Sequence, residues 1–248
     1  MCLYKLLLPF FIFGHLVANG LSDLKATLVR YTAKSTIKGT FEVQTWNRQG
    51  KGKEAVDTKG QASALVEYGP QGLQMQWNRP FLNQLDRELR LSAKDVSSNN
   101  QISNALWMMD LRRAYSSLDA SKELLRLLET AIFQSEAEEP LNGRPTRVLR
   151  FSVPQSGTQE RFRRWIKEFH STAKIWIDKE GNPLSYWQSI RIKARIFLVI
   201  SFEQTQEQNI TYSKIGDNLV CLRVEEKQEG GGGGEYASSR TIRSFTPQ

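Results

Sequence analysis

From residue 39 the chain alternates apolar and polar side chains with a period of two. Phe41, Val43 and Thr45 share one face and Glu42, Gln44 and Trp46 the other, which predicts a half-buried strand. A Gly- and Lys-rich stretch over 47–60 predicts a loop, a second strand covers 61–68, and Gly69-Pro70-Gln71-Gly72 predicts a turn. Leu73, Met75 and Trp77 then alternate with Gln74, Gln76 and Asn78 in the clearest strand of the sequence.

The period then changes from 2 to 3.6 residues. Met108, Leu111, Tyr115 and Leu118 form one helical stripe and Leu124, Leu125, Leu128 and Ile132 another, predicting helices over 103–116 and 120–135. Glu136, Glu138, Glu139 and Pro140 read as a solvated helix end, and Asn142-Gly143 as a turn. A strand follows at 147–153. Phe162, Trp165, Ile166 and Phe169 then fall at helical spacing, with Arg161, Arg163, Arg164 and Lys167 between them. That segment reads as a short amphipathic helix with a basic face. The remainder alternates again: strands over 173–178, from 184, and over 196–204, 209–214, 219–226 and 236–245, with 230–234 as a glycine loop tip.

At the start of the chain, a basic residue at Lys5 precedes an apolar run from Leu6 to Val17 and the small residues Ala18 and Gly20. The run spans roughly 18 Å as a helix, short of the ~30 Å hydrocarbon core. It therefore reads as a cleavable signal peptide over 1–20, which places the protein in the periplasm. Removal of Lys5 takes the net charge from +8 to +7, and the cations are scattered rather than gathered in a nucleic-acid-binding block. The remaining residues suffice for one domain over 21–248 with a helical insertion at about 103–135.

Loss of the leader also removes Cys2 and His15. One histidine, His170, and one cysteine, Cys221, remain, which excludes an intrachain disulfide and a metal site built on several histidines. No Gly-x-Ser-x-Gly elbow is present to support a serine triad around His170. Asp178 and Glu180 have the character of turn residues, and Cys221 lies in an apolar strand where it reads as a small hydrophobe. The expectation is a non-enzymatic protein without cofactor or metal. Paired carboxylates of glycosidase type remain a third-ranked alternative, since sequence does not show their spacing.

Apolar and aromatic residues on strands are the recurring feature. Phe41, Val43, Leu73, Met75, Trp77, Ile175, Ile177, Leu184 and Tyr186 would line one sheet face, either as a filled core or as the wall of a cavity under the helices. The early strand Gly39-Thr40-Phe41-Glu42-Val43, the segment Gln76-Trp77-Asn78-Arg79-Pro80 and the strand-turn-strand from Ile175 to Leu184 resemble the LolA/LolB-like group of periplasmic lipoprotein carriers and lipid-binding proteins. The resemblance covers about a third of the mature chain. It implies an α+β fold: a curved antiparallel sheet forming an open half-barrel, with helices as a lid on its concave face. It further implies a lipid or lipoprotein acyl chain as ligand. The helical insertion and the basic residues toward the C-terminal half depart from the group's pattern. The alternative is an interaction protein with a filled core that docks on an envelope complex or an anionic membrane surface through Arg161, Arg163, Arg164 and Lys167.

Overall fold

The computed structural model describes residues 19–31, 35–95, 100–155, 165–196 and 200–248. Its strands are β1 (Ile37–Gln49), β2 (Val56–Gly69), β3 (Gly72–Gln76), β4 (Ile132–Glu138), β5 (Arg147–Ser152), β6 (Ile166–Ile177), β7 (Pro183–Ile196), β8 (Ile200–Ile215), β9 (Asn218–Gly232) and β10 (Glu235–Pro247). They form a single antiparallel sheet in the order β3-β2-β1-β10-β9-β8-β7-β6-β5-β4. The sheet does not close into a barrel, because β3 and β4 each have one neighbour. The α-helices among the described residues are α1 (Gly20–Arg30), α2 (Arg79–Ser92), α3 (Gln101–Leu106), α4 (Leu111–Leu118) and α5 (Ala120–Thr130). The fold is α+β, as the alternation and the change of period predict.

The helices reach the sheet through two groups of buried side chains. Leu24 and Leu28 of α1 and Leu124 and Leu128 of α5 meet Leu149, Ile175, Ile177 and Leu219. Ala105, Met109, Ala114 and Leu118, from α3, α4 and the corner between them, meet Phe41, Val43, Ala62, Val66 and Phe245. Leu24 and Leu28 are entirely buried. Truncating a buried leucine of this kind costs about 2–5 kcal/mol, so α1 is anchored by its leucine pair.

Several predicted elements differ, each for a local reason. The 47–60 loop is mostly strand: Asn47 pairs with both Ser239 and Thr58, so polar residues on a two-sided wet ladder conceal it. Trp77 lies beyond the end of β3, and a helix follows it. Asn78 caps α2 by accepting from the Phe81 N–H at 2.9 Å, with Pro80 in the first turn. The helix expected over 103–116 is broken at 107–110, where Asp110 caps α4 by accepting from the Arg113 N–H. The helix expected to reach 135 stops at Thr130, and residues 132–138 pair with β5 as edge strand β4.

The amphipathic helix expected around 162–169 is strand from Ile166 onward, and its earlier residues lie outside the described residues. A bulge between Ile166 and Glu168 explains the helical spacing. Ile166 pairs with Ala194 and Phe169 with Ile192, so two residues three apart share one sheet face. Strands expected separately at 196–204 and 209–214 are continuous as β8. Glycines 230–232 belong to β9 rather than to a loop tip, and a Cβ at Gly232 would stand 2.5 Å from the Ser201 carbonyl oxygen. Asn19 and Gly20 belong to α1: the Asn19 side chain accepts from Leu21 N–H, and Gly20 N–H donates to Glu136 at 2.9 Å. Residues 1–18, the rest of the expected leader, lie outside the described residues.

Candidate functional site

Helices and strands differ in reach. Eleven residues of α5 span about 16 Å, whereas sixteen residues of β8 span about 53 Å. The long central strands therefore outrun the helical layer, and the helix-covered face changes character along them. On β8, Tyr212 and Ile210 give way to Gln208 and Gln206; on β9, Val224 gives way to Glu226 and Gln228; on β10, Phe245 gives way to Arg243 and Thr241. Where α4 and α5 meet this transition, a cleft of about 930 Å³ opens.

Its inner wall is apolar. Tyr186, Ile210, Tyr212, Cys221 and Val224 come from the sheet, and Ala120, Leu124 and Leu127 from α5. Burial raises the Tyr186 and Tyr212 phenols above their ordinary range and pushes the Cys221 thiol up to about 12. All three stay neutral near pH 7. The Tyr186 hydroxyl donates to Gln188 Oε1 at 2.7 Å, and Gln188 donates in turn to Ser171 Oγ at 3.0 Å. The Tyr212 hydroxyl makes no hydrogen bond among the described residues.

The outer wall is polar and charge-balanced. Arg243, only 7% exposed, donates through both terminal nitrogens to Glu226 at 2.6 and 3.2 Å, and Gln208 donates to the same carboxylate at 2.9 Å. On the helical side, Glu123 pairs with Arg126 at 3.0 Å and Arg113 with Asp110. Both carboxylates that line the cleft, Glu123 and Glu226, are thus held by guanidinium groups. Arg112 is the cation of this wall with no carboxylate within ion-pairing distance among the described residues. Chemically, the cleft can accept a molecule with an apolar body and a polar end without leaving either unmatched.

The residues singled out from alternation divide sharply. Phe41 and Val43 are fully buried in the core under α3 and α4, and Ile175 and Ile177 in the core under α1 and α5. Leu73, Met75 and Trp77 pack partly buried at the β3 edge, the Trp77 ring stacked 6.4 Å from Phe81. Leu184 sits in the register shift where Trp176 pairs with Ser185 and Ile177 with Pro183. Tyr186 alone of the nine lines the cleft. Ile210, Tyr212, Cys221 and Val224 were not singled out as lining. The signal that marks them is the switch from apolar to glutamine-rich positions along one face of β8 and β9.

Of the basic group, Lys167 is exposed on β6, whereas Arg161, Arg163 and Arg164 lie outside the described residues. His170 is an exposed strand residue opposite Arg191. Asp178 accepts from the Glu180 and Asn182 N–H groups at 3.0 and 2.7 Å, as turn chemistry requires. The acidic residues near 136 are not a helix end: Glu136 accepts from Gly20 N–H, and Glu139 bonds Arg150 and the Trp176 indole. Among the described residues, no three His, Cys, Asp or Glu side chains gather closely enough to hold a metal ion. Comparison with family models, curated proteins and solved structures finds no match to this chain.

Proposed function

We propose that the protein is an exported, non-catalytic carrier that binds a lipid or lipoprotein acyl chain in the cleft between α4, α5 and the central strands. The observation that carries this reading is the cleft itself. Its volume of about 930 Å³ falls within the roughly 300–1,000 Å³ of small-ligand sites, and its apolar inner wall gives way to glutamines and paired charges at the outer end. The resemblance to the LolA/LolB-like group supports the same reading, as does the leader-like apolar run from Leu6 to Val17.

The physics is burial without chemistry. Each methylene moved from water to the inner wall contributes about 0.8 kcal/mol, so a long chain overcomes the cost of its own ordering. The polar head of the ligand would remain among Gln206, Gln208, Gln228 and the helix arginines, where its hydrogen bonds are replaced rather than lost. Native mass spectrometry of the purified protein, before and after incubation with fatty acid or phospholipid, tests the proposal. A mass increment of one ligand per chain is expected; a chain that comes out empty and takes up neither lipid overturns it.

A further inference from the structure

The corner between α3 and α4 presents an indole to solvent. Trp107 is 83% exposed and Leu111 57%, although both lie in a region whose neighbours are well packed. The corner is held in place: the Met108 and Met109 N–H groups bond back to the Ala105 and Leu106 carbonyls at 2.9 and 3.0 Å, and Met109 is buried in the core. Arg113 fastens the other side, donating to the Trp107 carbonyl at 3.3 Å while it pairs with Asp110. A fixed backbone thus projects Trp107 outward, and leaving so large an apolar surface in water forgoes stabilisation that burial would supply.

Position makes this exposure informative. Met108, Arg112 and Arg113, which flank Trp107 and Leu111 in the chain, line the cleft. The exposed pair therefore borders its mouth. Beside it stands Arg112, exposed and making no ion pair within 4 Å among the described residues although it lies in the field of Asp110, whereas Arg113 pairs directly with Asp110 and Arg126 with Glu123. An indole, an aliphatic side chain and one exposed guanidinium free of a direct ion pair match the boundary of a bilayer, where aromatic rings sit at headgroup depth and cations meet lipid phosphates.

We propose that the α3–α4 corner docks the mouth of the cleft on a phospholipid membrane, with Trp107 and Leu111 seated in the headgroup region and Arg112 against a lipid phosphate. The inference rests on the cleft being an acyl-chain site, since a docked mouth lets such a chain pass from bilayer to inner wall without crossing water. A membrane fits better than a protein here because the same contact serves as the source of the cargo.

The test uses the full chain with vesicles of phosphatidylcholine and phosphatidylglycerol. The wild type is expected to cosediment with the vesicles. Trp107→Ala combined with Leu111→Ala should weaken cosedimentation by about tenfold; both side chains are exposed, so thermal stability should stay unchanged. Lipids brominated in their acyl chains should quench tryptophan fluorescence in the wild type but quench it far less in Trp107→Phe. Uptake of a fluorescent fatty acid from cyclodextrin should be equal in the wild type and the double variant, while uptake from vesicles slows in the variant. Wild type that ignores vesicles, including the case in which the corner is found to bind a protein instead, overturns the docking, as does cosedimentation that the double variant leaves unaltered. Wild type that binds vesicles but takes up nothing from cyclodextrin overturns the cleft reading instead.

Discussion

Asp119 is the most deeply buried carboxylate among the described residues. It stands at the break between α4 and α5, 1% exposed, and accepts from the Tyr68 hydroxyl at 3.1 Å, the Tyr115 hydroxyl at 3.2 Å, Ser121 Oγ at 3.1 Å and Lys122 Nζ at 2.6 Å. Burial works to raise its pKa, but the bonds from Lys122, Ser121 and Tyr68 outweigh it and hold the carboxyl below the ordinary range. Tyr68 and Tyr115 meet edge to face at 5.3 Å, so the network ties β2 to the helices that cover it. Asp119→Ala, which strands these donors, should cost about 3 kcal/mol in denaturant unfolding at pH 7. A carboxyl depressed in the folded state stabilises above its unfolded pKa of about 3.9 and loses that contribution as pH falls through the folded value. The stability gap between wild type and Asp119→Asn should therefore be constant near neutrality and shrink as pH falls below about 3.9 and through the lower folded value; a gap that widens in acid would contradict the assignment.

Between elements, a close contact is made by the turn joining β6 to β7 where it abuts α1. Gly181 has φ of +84°, and a Cβ there would stand 2.7 Å from the Asp23 carbonyl carbon and oxygen. Thr27 Oγ1 donates to the Glu180 carbonyl, and the Tyr31 hydroxyl to Asn182 Oδ1, so helix and turn are fastened face to face. Gly72, with φ of +97°, has nothing within 4 Å of a built Cβ. Gly72→Ala should cost only the left-handed strain, about 1 kcal/mol, whereas Gly181→Ala adds displacement of α1 and should cost about 2–3 kcal/mol by thermal unfolding. Equal costs would show that α1 is not pressed against the turn. The same elements mark what the sequence makes legible. Alternation reveals Phe41 and Val43 because one face of β1 is dry and the other wet. It misleads at Ile166 and Phe169, where a bulge imitates helical spacing, and at Ile132, which continues the stripe of Leu128 into an edge strand. Helix α2 carries its own signal in Asn78 and Pro80, overlooked beside the strand that ends at Gln76. For the cleft, alternation identifies the inward face but not where the helices end, so Tyr186 was found while Ile210, Tyr212 and Val224 were not.

At the scale of the whole molecule, the decisive feature is a mismatch of lengths. Helices of eight and eleven residues lie across strands of up to sixteen, and the cleft occupies the line where cover runs out and the sheet face turns from apolar to polar. The inner wall is the outer margin of the core under α1 and α5, to which Tyr186, Tyr212, Cys221, Val224, Ala120 and Leu124 belong, so the space is altered without dismantling the fold only at a partly buried lining residue. Ile210 is suited to this because it lines the cleft and is only partly buried against the core. Titration of the protein with a fluorescent fatty acid, compared with Ile210→Trp, tests the account most directly. Saturable binding at one ligand per chain is expected for the wild type. The variant should keep its cooperative unfolding and lose affinity by about tenfold or more, because the added indole occupies the volume an acyl chain would take. Wild type that shows no saturable binding, or a folded variant that binds as tightly as wild type, would contradict the claim that this cleft holds the ligand.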